Sequence, residues 1–307
     1  MIWRPVAAAA LLATVAATPL AQSVFASADP DAEVIDGQYW VFPTGDRSDR
    51  LAAWSSPDLA KWAKRGVLIK ASDIGWIDAD HAPRHFLWAP DMVRDGARWL
   101  LYYSVGPQNP TPSRLGVAVC AAPQGPCIDS GMPLLTGGNG YEAIDPAVFV
   151  DPKSGLHYLY AGGSAGAKLR AFVLGPGGET IDHEVAIPQP ENFTEGVFMH
   201  ERNGVYYLSY SHGYWRCASY SVHYSTGPSP VGPWTYRGAI LTSDARYKGP
   251  GHHSFVLDPA TGKTLVFYHR WEGQIGDGPY DGQRRIAVAS VEYGPDGAIL
   301  PIRMAAR

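Results

Sequence analysis

A short phrase repeats five times along the chain, and it constrains the fold more than any other feature. A glycine opens an aromatic-rich run at Gly37 (QYWVFPT), Gly96 (ARWLLYYS), Gly155 (LHYLYAG), Gly204 (VYYLSYS) and Gly262 (KTLVFYH). The glycines are 59, 59, 49 and 58 residues apart. Each run has the β-branched and aromatic content of a strand entered from a tight turn. Further short strands lie between them (LGVAV, LRAFVL, YSVHYS, RIAVASVEY), separated by turn signals such as PQGP, GPGG and GPSPVGPW. No run of a dozen residues has a capped helical period. Five units of similar length, each with several antiparallel strands, predict an all-β fold, a five-bladed β-propeller. A two-sheet sandwich would explain the strands but not the five units.

Polar residues recur at one phase of this repeat. Asp29, Asp145, Glu195 and His252 lie 8, 10, 9 and 10 residues before their glycines, and Asp91 lies 5 before Gly96, an irregular unit. The innermost strand of each blade lines the propeller axis, so residues at the same point of successive inner strands converge. Three acids and a histidine at one end of the axial channel need a use, because like charges in a cleft repel. Hard-cation binding is one use. Glycoside hydrolysis, with an acid and a base on opposite sides of the scissile bond, is another. Any single Asp-Pro reads as a turn start; three acids at one phase do not.

The 307 residues suffice for one large domain. A net charge of −4 with no basic run argues against a nucleic-acid partner. Arg4 and the apolar run from Pro5 to Ala17 read as an export signal, residues 1–17, with cleavage between 17 and 26. The expectation is a secreted or periplasmic protein with no membrane contact beyond export. A single catalytic domain would follow, over 18–307. Cys120 and Cys127 bracket a turn-rich hexapeptide and can pair in an oxidising compartment, which leaves Cys217 over. Gly162-Gly163-Ser164-Ala165-Gly166 fits the nucleophile-elbow pattern, but no helix follows it, so it reads as a hairpin turn.

Together these segments resemble glycoside hydrolase family 43, the arabinanase, arabinofuranosidase and β-xylosidase group. The segments are SADPDAEVIDGQYWVFPT from Ser27, LWAPDMV with GARWLLYYS, AIDPAVFVDPKSGLHYLYAGG, TEGVFMHERNGVYYLSYS, and GPGHHSFV with FYHRW. The resemblance covers nearly the whole mature chain. It implies an inverting hydrolase with Asp29 as general base, Glu195 as general acid, and Asp145 as the third carboxylate that orients the acid and keeps its pKa high. It places Arg284 near the sugar, with Arg285 the alternative one residue along. Trp88 is a wall of the sugar pocket or a core residue. Asp91 is a substrate contact or a cap on its blade's turn. His252 faces the axial channel, where it either ligates calcium or its waters, or is hydrogen-bonded without metal; no cofactor is required. The partner implied is a carbohydrate substrate, and the oligomeric state stays open.

A non-catalytic sugar-binding propeller would keep the fold and the aromatics but would not need all three acids. The loops 76–86, 106–113 and 271–283 are bulky enough to close a pocket. That favours exo action and an α-L-arabinofuranosidase over a β-xylosidase, endo-arabinanase or galactofuranosidase.

Overall fold

The computed structural model describes residues 23–45, 49–164 and 166–304. The expected export signal, residues 1–17, lies outside them. The described residues form five antiparallel sheets around an axis. From the axis outward, blade 1 holds Ala28–Ile35, Gln38–Thr44, Arg50–Ser56 and Ala63–Lys70. Blade 2 holds Phe86–Asp95, Arg98–Gly106 and Arg114–Cys120, with Cys127–Asp129 and Leu135–Thr136 on its outer edge. Blade 3 holds Ala147–Val150, His157–Ala161, Arg170–Leu174 and Ile181–Val185. Blade 4 holds Glu195–Arg202, Val205–His212, Ser221–Gly227 and Thr235–Leu241. Blade 5 holds Tyr247–Leu257, Thr264–Glu272 and Arg285–Val291, and its outermost strand is the N-terminal segment Ser23–Ala26. The first described strand thus closes the last blade, which ties the ring shut.

The repeated glycines sit where the first strand of each blade turns into the second. Gly37, Gly96, Gly155, Gly204 and Gly262 have φ of 75°, 61°, 71°, 84° and 68°. No neighbouring atom would obstruct a side chain at any of them, so backbone conformation alone demands glycine there. The apolar residues form one cluster at each junction between blades. Phe42, Leu51 and Ile69 of blade 1 pack with Leu87, Met92 and Leu101 of blade 2. Equivalent clusters join blades 2 and 3, 3 and 4, 4 and 5, and 5 and 1. Burying one such side chain contributes about 2 kcal/mol, so the blades are held chiefly by their flat faces. The Cys120–Cys127 disulfide joins strands three and four of blade 2.

A second periodic feature is hidden in the sequence. Each inner strand carries, within it or just before it, a positive-φ residue at an equivalent place: Asp29 (49°), Ala89 (44°), Asp145 (54°), Gly196 (61°) and His252 (42°). In blades 1, 2, 4 and 5 the ladder register slips there, as at a β-bulge. Four of the five amides face the second strand of the preceding blade. Ala89 N donates to Thr44 Oγ1 (2.8 Å), Asp145 N to Ser104 Oγ (2.9 Å) and His252 N to Ser211 Oγ (2.8 Å). Asp29 N lies 3.3 Å from His269 Nδ1. In blade 3 the corresponding position is Gly162, which has no side chain to offer. There the Asp145 carboxylate takes the amide of Gly196 instead, at 3.1 Å.

Candidate active site

The bulges aim polar side chains into one cavity of about 230 Å³ at the end of the axis. Asp29, Asp145, Glu195, His252, Trp88 and Arg284 all line it, as the sequence predicts, together with Thr44, Gln108, Ile144, Ser164 and Trp215. Arg284 rather than Arg285 is the arginine at the site: Arg285 lines a different cavity, near Arg246 and Glu272. Glu195 sits one residue before the positive-φ residue of its strand, whereas Asp29 and Asp145 are themselves the positive-φ residues, so the spacings to the glycines do not match.

Asp91 is the exception, and its assignment as a substrate contact is corrected. The bulge of blade 2 is Ala89, so Asp91 is two residues beyond it, the place that Asp31 occupies in blade 1. Both are ties between blades. Asp31 Oδ2 accepts the amide of Met92 (2.8 Å), and Asp91 Oδ2 accepts that of Val148 (2.9 Å).

Asp29 is held as a carboxylate. Its Oδ1 is 2.9 Å from Arg284 Nη1 and 3.1 Å from His269 Nδ1, and its Oδ2 accepts the Thr44 hydroxyl at 2.6 Å. His269 Nδ1 faces both the amide and the carboxylate of Asp29. The shorter contact and the negative charge place the ring proton on Nδ1, donated to Oδ1. Burial is the largest single influence on Asp29 and opposes ionisation. Arg284, His252 and the His269 hydrogen bond together outweigh it and hold the carboxyl well below its usual 3.8.

Glu195 is pushed the other way. Burial raises its pKa above 4.5, and the charge of Asp29 adds to this. Two hydroxyls oppose the rise: Tyr220 donates to Oε1 and Ser164 to Oε2, each at 2.8 Å. Asp145 rises well above 3.8 through burial first, then the charges of Glu195 and Asp29. The expectation that Asp145 keeps Glu195 protonated by like-charge repulsion therefore changes in its cause. Burial is the largest influence on Glu195, and it is Asp145 that the Glu195 charge raises in turn. Asp145 also fixes the backbone beside the acid through the Gly196 amide. The acid reaches its place only because residue 163 is glycine: a Cβ there would lie 2.5 Å from Glu195 Cβ.

His252 turns Nδ1 toward Asp29 Oδ1 (3.5 Å) and Asp145 Oδ2 (3.6 Å). Among the described residues, no three His, Cys, Asp or Glu side chains converge as a metal site would require.

Three features of the site were missed by phase reasoning. Trp215 lies in a turn between strands, outside the repeat; its ring carries the Arg284 guanidinium at 4.6 Å and stacks on Trp271. Ser164 belongs to the elbow-like motif. A turn and the strand Arg170–Leu174 follow it rather than a helix, yet its hydroxyl enters the site as a partner of Glu195. His269 was visible only as the His of FYHRW; it occupies the second-strand position held by Thr44 and Ser211 elsewhere. Of the predicted loops, 106–113 supplies Gln108 to the cavity wall. Loop 271–283 braces the Trp215 turn through Ala218 N to Asp277 O (2.9 Å) and Tyr280 N to Arg216 O (2.6 Å). Segment 76–86 lends Trp76 and Ile77 to the core between blades 1 and 2 and supplies no wall residue of the cavity.

Comparison with known proteins bears on the same residues. A family model described as glycosyl hydrolases family 43 matches residues 23–299. The chain is 32% identical over 294 residues to a β-D-galactofuranosidase, xynD, of Aspergillus niger, covering 90% of this chain and 82% of the relative. It is 29% identical over 347 residues to xylosidase/arabinosidase 43A of Humicola insolens, covering 92% and 98%. A solved β-xylosidase/α-arabinofuranosidase from a compost microbial metagenome, in complex with xylotriose, has a TM-score of 0.75 at 27% identity and covers 94% of this chain and 98% of that one. The family match runs from the strand that closes blade 5 to the last bridged residue after it and leaves no blade outside, so the chain belongs to family 43 of the glycosyl hydrolases and is a glycoside hydrolase.

Proposed function

We propose that the enzyme releases a terminal pentofuranosyl unit, α-L-arabinofuranosyl, from a polysaccharide or oligosaccharide in one step with inversion. Asp29, ionised, draws a proton from a water that attacks the anomeric carbon. Glu195, protonated, gives its proton to the leaving oxygen. Asp145 holds the backbone beside the acid through the Gly196 amide. Arg284 anchors Asp29 and faces the sugar. The observation that carries the reading is the opposite displacement of two carboxyls in one cavity: Asp29 well below its ordinary range, Glu195 above it. Exo action is favoured by the cavity, whose roughly 230 Å³ is below the usual range for larger ligands and suits one sugar ring.

A galactofuranoside is the second reading, favoured by the name of the Aspergillus niger relative. An exported location is part of the proposal, supported by the Cys120–Cys127 disulfide, which persists in oxidising compartments.

The test is a panel of aryl glycosides (α-L-arabinofuranoside, β-D-xyloside and β-D-galactofuranoside) with Asp29→Asn and Glu195→Gln alongside. Turnover of the arabinofuranoside, lost by about 10²-fold or more in Asp29→Asn, is expected. Full activity in Asp29→Asn would sink the base assignment. Preference for the galactofuranoside would select the second reading.

A further inference from the structure

Tyr220 immediately precedes the third strand of blade 4, outside the repeated phase, and is 1% exposed. Its backbone N–H donates a hydrogen bond to Cys217 O at 3.1 Å. Its ring is clamped by blade 5 on two sides. It lies parallel to the His269 imidazole, with centroids 5.7 Å apart and planes within 5°. It also presses against Gly251, where a Cβ would come within 2.0 Å of the ring. Nothing larger than glycine leaves room for the phenol. The hydroxyl at the end of this clamped ring donates to Glu195 Oε1, and His269 on the far side of the stack holds Asp29 Oδ1. One chain of contacts, Asp29–His269–Tyr220–Glu195, therefore spans both carboxyls.

We infer that Tyr220 is a positioning residue for proton delivery: its hydroxyl fixes Oε1 of Glu195 and stabilises the carboxylate that Glu195 becomes as the leaving oxygen takes its proton. The inference rests on the reading of Glu195 as general acid. In that step one proton passes from Glu195 to the leaving oxygen, the glycosidic C–O bond breaks with its electron pair going to that oxygen, and Glu195 gains the negative charge. The phenol keeps its own proton. Burial, and then the Glu195 charge, push Tyr220 well above 10, so it stays a donor throughout. A hydroxyl binds a carboxylate more strongly than a neutral acid, so this bond tightens as the reaction proceeds.

The experiment compares the wild type, Tyr220→Phe and Glu195→Gln on two substrates of the sugar the enzyme turns over: its 2,4-dinitrophenyl glycoside and the matching disaccharide. The dinitrophenolate leaves with little need of a proton, whereas the disaccharide needs one. Tyr220→Phe, which keeps the ring stack, is expected to lose about tenfold more kcat on the disaccharide than on the dinitrophenyl glycoside, with KM unchanged. The alkaline limb of its kcat/KM profile moves to higher pH, because the lost donor favoured the ionised acid. Installing 2,3-difluorotyrosine at 220, a stronger donor of nearly the same shape, moves that limb the other way. Equal losses on both substrates with a fixed alkaline limb would overturn the inference. Glu195→Gln separates the two levels. If it discriminates between the substrates and Tyr220→Phe does not, the inference alone fails. If Glu195→Gln does not discriminate either, the acid assignment fails and the inference with it.

Discussion

Arg284 Nη1 lies 2.9 Å from Asp29 Oδ1 while the same guanidinium rests on the Trp215 ring at 4.6 Å. The aromatic ring fixes the arginine, and the arginine keeps the carboxylate charged. Removing the cation leaves burial less opposed, so the pKa of Asp29 rises. Arg284→Ala is expected to move the acid limb of kcat/KM to higher pH and to lower kcat/KM by about 10²-fold, the scale of a misplaced reacting group. Trp215→Leu keeps the charge but frees it, so a smaller upward move of the same limb is expected, together with a raised KM from the lost wall. A pH–rate series on the three proteins decides this. An unmoved acid limb in Arg284→Ala would mean that Asp29 is not the titrating base.

Trp88 faces the cavity with its outer ring edge over Gly106, where a Cβ would fall 2.2 Å from Cη2. Phe86 stacks behind it at 5.5 Å. Gly106 does not have positive φ, so Gly106→Ala changes packing rather than backbone preference. The added methyl must displace the indole. A rise in KM of about fivefold with a smaller change in kcat is expected if the ring is a binding wall, since one lost ring contact is worth about 1 kcal/mol. Unchanged KM would show that Trp88 only fills space.

The five blades were legible because the turn from first to second strand requires glycine for conformational reasons in every blade. The carboxyls were legible for a related reason: a positive-φ residue recurs at one place in every blade's inner segment. Asp91 misled because Ala89 holds the bulge in blade 2, and an alanine carries no polar signal to mark the phase. Ser164, Trp215 and Tyr220 were not legible as site residues. They lie in turns or just before a third strand and reach the axis across blade boundaries, so no period connects them to Asp29 or Glu195. The change of tie in blade 3, where Gly162 has no hydroxyl and the Asp145 carboxylate serves, is equally invisible without the register.

The disulfide spans 7 positions at the outer part of blade 2, and neither cysteine lines the active-site cavity. Closing a loop of that length contributes about 2 kcal/mol in the chain-entropy account. The Cys120→Ser/Cys127→Ser double variant is therefore expected to unfold at a Tm about 4 °C lower, at roughly 2 °C per kcal/mol for a domain of this size, with kcat and KM unchanged. A loss of activity at a temperature where the variant is fully folded would contradict this separation of stability from chemistry.

On the inner strands of blades 1 and 2, Asp31, Glu33 and Asp91 interact electrostatically. Burial raises Asp31 from 3.8 to about 7; burial and then the Asp31 charge raise Glu33 from 4.5 to about 8. Asp91 is raised well above 3.8 by burial and then the Asp31 charge. A carboxyl with a raised folded pKa favours the folded state fully below its unfolded pKa, and that contribution is lost as pH rises through the folded value. For Asp31 and Glu33 the window runs from about pH 4 to about pH 8. Asp29 has the opposite sign: its contribution is present above 3.8 and is lost as pH falls through its depressed folded value. Stability is therefore expected to peak on the acid side and decline toward pH 8, with Tm several degrees higher at pH 5 than at pH 8. Asp31→Asn keeps an oxygen for the Met92 amide and removes one titrating group from the cluster. Its Tm at pH 8 should rise relative to its Tm at pH 5, which flattens the slope in calorimetry across that range. The same slope in Asp31→Asn as in the wild type would show that the axial acids do not set the pH dependence of folding.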